Sequence, residues 1–136
     1  MIETASGRAY LAFSPPEERD KVLQGLKYRH NAQGPLTSRD GELDTLLDQS
    51  RKLGVGFRKQ GFRADTMSMS APIYHGQSVI ACLTVIWLRS ALSFQDAVES
   101  YKQLLVDTAT DLSRELAAGD YDLRRAERGP DILANK

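Results

Sequence analysis

The sequence predicts a mixed domain of helices and antiparallel strands. Three observations carry that prediction. Thr66 to Trp87 reads as two strands joined by a tight turn, the stretch from Phe94 to Ala118 repeats apolar residues at helical spacing, and three shorter helical patterns come before the hairpin. At 136 residues, with 41% hydrophobic and 26% charged, the chain has ordinary globular composition and room for one domain.

Thr4-Ala5-Ser6-Gly7 can cap and open a helix whose buried side is Ala5, Ala9, Ala12 and Phe13, small residues that allow close approach to a sheet. A helix start built this way leaves backbone N–H groups uncovered and can hold an anion, or it can simply pack with a capping hydroxyl. Ser14-Pro15-Pro16-Glu17 reads as the next start, with Ser14 as N-cap, Pro15 first in the helix and Glu17 three residues after the cap; Val22, Leu23 and Leu26 form its stripe. Tyr28 to Pro35 reads as a polar surface loop that includes a solvated His30. Thr37 or Ser38 caps a third helix lined by Leu43, Leu46, Leu47 and Leu53 and stopped by Gly54.

A strand from Val55 to Lys59 follows, and Gln60 to Asp65 link it to the hairpin. Arg58, Lys59 and Arg63 stand among Phe57 and Phe62, a setting suited to an aromatic carboxylate or, equally, a solvent-facing charge cluster that guards an edge strand. In the hairpin's first strand Met67, Met69, Ala71 and Ile73 alternate with Thr66, Ser68, Ser70 and Tyr74. Such a hydroxyl row can orient a small ligand or be an ordinary solvated face. His75-Gly76-Gln77 makes the link, and Val79 to Trp87 is apolar enough to be a central strand covered on both faces. Ser93 caps the longest helix, Phe94 to Ala118, about 37 Å at 1.5 Å per residue; Ala97, Val98, Tyr101, Leu104, Leu105, Thr108 and Leu112 are its apolar positions, and Gly119 ends it. The tail beyond, 119–136, is polar and is expected to fray past about Leu123.

Eighteen basic residues balance eighteen acidic ones, so no overall field draws the chain to nucleic acid or an anionic membrane. The single cysteine, Cys82, suits a reducing compartment. No apolar run reaches membrane-spanning length, and Met1 to Ala5 lacks the features of a signal peptide, so the expected location is cytoplasmic. The sequence holds no Gly-rich phosphate loop, zinc spacing or nucleophile elbow. The expectation is accordingly no catalytic residue, no metal and no cofactor.

Three segments, Thr4 to Phe13, Arg51 to Phe57, and Ser68 to Tyr74 running into the apolar strand, together resemble the effector-binding domain of the IclR family of bacterial transcriptional regulators. The resemblance covers residues 2–118 and implies an α+β, GAF-like domain: a twisted antiparallel sheet flanked by helices, with a small-molecule pocket on one face. The effector-binding residues it carries over are Ala5, Ser6, Arg58, Ser68, Thr84 and Ile86. Where the family's pattern usually has an acidic residue or serine, this chain has Arg58, which would add a carboxylate partner. Replacing Arg58 is expected to weaken binding with little loss of stability. The stretch Ile80 to Leu88 with Ser90 to Ser93 is most similar to regulators of aromatic-acid catabolism, and Phe57, Phe62 and Trp87 fit an aromatic effector.

The resemblance further implies a homodimer or homotetramer, and DNA contact only through an N-terminal helix-turn-helix domain outside this chain, which makes 1–118 an N-terminally incomplete domain. A stand-alone GAF-like enzyme or signalling module is the alternative, and an oligomerisation fragment with a vestigial pocket is a third.

Overall fold

The computed structural model of the chain describes residues 1–31, 40–61 and 63–119. Their order is α1 (Ala5–Phe13), α2 (Pro16–Asn31), α3 (Asp40–Leu53), β1 (Gly56–Arg58), β2 (Thr66–His75), β3 (Ser78–Leu88) and α4 (Phe94–Ala118). The strands form one antiparallel sheet in the order β1-β2-β3. One face carries α4 and the other carries α1, which is backed by α3. The α+β architecture is therefore the expected one. Expectations placed on Phe62, on the Thr37 or Ser38 cap and on the tail after Gly119 lie outside the described residues.

Alternation along the hairpin sorts the two faces. Val55, Phe57, Met69, Ala71 and Ile73 meet Ala97, Leu105 and Ala109 of α4, with Leu83, Val85 and Trp87 of β3 packed beside them. The turn follows from glycine: His75 pairs with Ser78, leaving Gly76 and Gln77 as the loop, and Gly76 takes φ 62°, a region that side chains with a Cβ disfavour. α4 has the predicted ends, because Ser93 Oγ accepts from Asp96 N at 3.2 Å and Gly119 N donates to Glu115 O at 2.9 Å. On the opposite face Leu11, Ala12 and Leu47 form a second core, and Arg51 Nε ties α3 to α1 through Ala12 O at 2.9 Å.

Four local expectations are corrected. Ser14 does not cap α2: its buried hydroxyl has no partner, while Pro15 O accepts from Arg19 N, so Pro15 is the cap and Pro16 the first helical residue. The helix also continues to Asn31, through residues expected to form a loop. Among the described residues β3 is an edge strand rather than a central one, with Ile86 64% and Leu88 56% exposed. Finally, Tyr101, Leu104 and Leu112, read as part of one apolar helical repeat in α4, are exposed while Ala97 and Leu105 of that repeat are buried. Three strands about 4.8 Å apart span roughly 10 Å, about one helix diameter, so only one side of the apolar arc of α4 finds a partner.

Candidate functional site

The α1 face of the sheet carries the residues that periodicity separates from the core. Arg58 is register partner to Ser68, and Ser68 to Ile86, so these three side chains form one cross-strand row. One step along, Gly56, Ser70 and Thr84 form the next row, where Ser70 and Thr84 share a hydrogen bond of 2.8 Å between their hydroxyls. The first row runs from a buried cation through a buried hydroxyl to an exposed apolar side chain: Arg58 and Ser68 are each 4% exposed, against 64% for Ile86. The face is thus covered by α1 at β1 and β2 and is not a plain solvated surface.

Arg58 reaches the row's inner end with donors already in use. Its Nη1 donates to Arg63 O at 2.9 Å and Thr66 O at 3.0 Å, and its Nη2 donates to Thr66 Oγ1 at 2.7 Å. Three of five N–H groups are engaged, leaving Nε and one Nη2 hydrogen. Arg89 holds the same link from the β3 side through its N to Asp65 O, its Nε to Ala64 O and its Nη2 to Lys59 O. Arg58 is therefore a buried clamp on the β1–β2 link. That differs both from an edge charge in solvent and from a side chain removable without loss of stability. Lys59 is exposed and stands over the rings of Phe57 and Phe94, at 5.6 and 4.5 Å from their centroids.

At α1 the close approach is made by Gly56. A Cβ there would stand 2.3 Å from Ala5 O and 2.4 Å from Ala9 N, so the helix backbone rests on the strand. Ala5 is buried at this crossing. The helix N-terminus is capped rather than bare: Thr4 Oγ1 accepts from Gly7 N at 3.1 Å, and Met1 O lies where a Gly7 side chain would be. Ser6 looks the other way along the face, into an open groove of about 410 Å³ lined by Thr4, Tyr10, Ile80 and Cys82. Cys82 Sγ donates to Ser6 O at 3.5 Å. Cys82 and Ile86 are about 13 Å apart at strand rise, so the groove and the Arg58 row occupy opposite ends of one face.

Burial pushes the Cys82 thiol up, offset in part by its hydrogen bond with Ser70. Less thiolate is present near neutrality than in a free cysteine. Alkylation by iodoacetamide at pH 7.5 should therefore run several-fold slower than for a cysteine peptide and accelerate only at higher pH; a rate equal to the peptide's would contradict this burial.

The aromatic residues do not join the row. Phe57 and Trp87 lie on the α4 face, where Phe94 is 5.5 Å from Phe57 and 6.1 Å from Trp87 between centroids, and Trp87 Nε1 donates to Leu92 O at 3.1 Å. The pleat sends neighbours to opposite sides, so rings adjacent in sequence to Arg58 and Ile86 face away from them. Ser70 already belonged to the hydroxyl row read from the sequence, whereas Arg8, whose Nη1 donates to Phe57 O at 2.7 Å, gave no sequence signal.

Among the described residues no grouping of His, Cys, Asp and Glu could hold a metal ion, and no helix is long and apolar enough to cross a membrane. The family model described as bacterial transcriptional regulator IclR C-terminal matches residues 1–114. The HTH-type transcriptional regulator KdgR of Escherichia coli strain K12 is 22% identical over 121 residues, covering 89% of this chain and 46% of its own length. The chain thus spans about half the length of that relative. A transcriptional regulator from Rhodococcus sp. RHA1 superposes with a TM-score of 0.68 at 28% identity, covering 86% of this chain and 48% of that one. An IclR homologue from Microbacterium hydrocarbonoxydans, complexed with 4-hydroxybenzoate, superposes with a TM-score of 0.62 at 22% identity, covering 87% and 47%.

Proposed function

This chain belongs to the IclR family of bacterial transcriptional regulators as their C-terminal, effector-binding domain, and on that premise we propose that its effector is a small organic acid seated on the α1 face of the sheet. The observation that carries this reading is the row of Arg58, Ser68 and Ile86: spare guanidinium donors, a hydroxyl with no hydrogen bond among the described residues, and an open apolar end. A carboxylate would take the Arg58 donors, Ser68 would orient it, and Ile86 would cover the hydrocarbon part. Ser6 and Thr84 border the same face and Ala5 supports it from α1.

The role is sensing rather than catalysis, in keeping with relatives that are transcriptional regulators. In the whole regulator, DNA would be contacted by a helix-turn-helix domain outside residues 1–136. The assembly would be a homodimer or homotetramer, with the exposed Tyr101, Leu104 and Leu112 stripe of α4 available for contact.

Titration calorimetry with a panel of organic acids, 4-hydroxybenzoate included because a structural neighbour is complexed with it, tests the effector reading. At least one acid should bind; a flat response across the panel would remove it. Ser68→Ala should weaken the acid by about 1 kcal/mol with an unchanged melting temperature, since that hydroxyl supports nothing internally. Trp87→Phe should leave affinity within about twofold, because the indole packs toward α4. A large loss there would place the ligand on the wrong face for this proposal.

A further inference from the structure

The Arg8 guanidinium reaches the strand carbonyl next to Arg58, and among the described residues neither arginine meets a carboxylate. Arg8 of α1 donates from Nε to Ile2 O at 2.8 Å and from Nη1 to Phe57 O at 2.7 Å, the carbonyl directly before Arg58. Arg58 donates only to the carbonyls of Arg63 and Thr66 and to the Thr66 hydroxyl. Among the described residues the ion pairs are Arg19 with Asp20, Arg51 with Asp48 and Arg114 with Asp111, none of which touches this pair. Glu3, an exposed residue, favours the Arg8 charge but forms no ion pair with it. Burial, and after it the charge of Arg58, hold Arg8 below the ordinary arginine value.

Neutral carbonyls satisfy hydrogen bonds but leave two positive charges uncompensated in a partly dry setting, an arrangement whose cost an anion would offset. The donor count points the same way. Arg8 retains three N–H groups and Arg58 two, enough for a two-point contact to one carboxylate at each.

Resting on the reading that the Arg58 row holds the effector, we propose that the effector is a dicarboxylate, with one carboxylate on Arg58 and Ser68 and the other on Arg8. Two cations and two carboxylates balance, whereas a monocarboxylate would leave one partly buried charge unmatched. Gly56 and Ala5 close the crossing of α1 over β1, so the hydrocarbon between the two groups would run beside that crossing and not beneath it.

The test is calorimetric titration of the protein with adipate against hexanoate and with glutarate against pentanoate, pairs of equal carbon number that differ by one charge. The dianion of at least one pair should bind about tenfold or more tightly than its monoanion, consistent with one added charge-assisted contact. In Arg8→Gln that ratio should fall to about twofold. Arg8→Lys is the second variant if loss of the Ile2 and Phe57 contacts unfolds the first. It keeps the charge without the fork and should lower the ratio about threefold. Equal affinities within every pair, or a ratio untouched by a folded Arg8 variant, would overturn the dicarboxylate and leave a monocarboxylate effector standing. Binding of no acid here or in the wider panel would overturn both.

Discussion

Gly56→Ala should cost about 3 kcal/mol of stability, at the upper end for an overpacked site, because the atoms a methyl group meets are backbone. Ala5 O at 2.3 Å and Ala9 N at 2.4 Å belong to α1, and no rotamer change can move them. The helix must lift from the strand. Lifting it would also strain the Arg8 contact with Phe57 O and open the covered face, so acid affinity should fall with stability. Gly25→Ala is the control of opposite sign: Gly25 is an exposed helical residue with nothing within 4 Å of an added Cβ, and alanine there should add about 0.5–1 kcal/mol. Urea unfolding of both variants is the measurement. A Gly56→Ala midpoint equal to wild type would mean that α1 does not rest on β1.

Arg58→Ala should show two losses together. Removal of the clamp leaves Arg63 O, Thr66 O and Thr66 Oγ1 without their charged donor and loosens the β1–β2 link, at a cost of about 2–3 kcal/mol in unfolding free energy. Loss of the carboxylate partner should weaken the effector by about 1.5–3 kcal/mol, roughly 10- to 150-fold. Arg58→Lys separates the effects, since an ammonium keeps the charge but cannot span the same acceptors, so stability should fall more than affinity. Lost stability with unaltered acid binding would confine Arg58 to its clamp and move the site toward the Ser6 and Cys82 groove.

The sorting of residues onto the two faces of the sheet was legible from period alone. The two-residue repeat in β2 placed Met67, Met69 and Ala71 on one side and Ser68 and Ser70 on the other, and Gly76 marked where the hairpin turns. What period does not give is which side faces what. The hydroxyl row fits a wet surface or a covered face equally well until α1 is laid across it. Neighbours in sequence misled for the same reason: Phe57 beside Arg58 read as an aromatic, cationic setting and Trp87 as fit for an aromatic effector, yet the pleat puts both rings against Phe94 and leaves Arg58 and Ile86 on the α1 face.

Most local elements were legible in the chain, the bounds of α2 apart, because a capping hydroxyl, a helical repeat, a strand alternation and a glycine turn are each set by residues a few positions apart. Thr4, Ser93, Gly54, Gly76 and Gly119 mark element ends in the folded chain as they do in the sequence. The family, too, was legible from three short segments. Long-range contacts were needed to make Arg58 a clamp, to bring Arg8 to Phe57 O across 49 residues of chain, and to select which stripe of α4 is buried. These depend on contacts between elements distant in sequence. There the width of a three-stranded sheet and the absence of one Cβ at Gly56 set what can touch, and no local pattern records either.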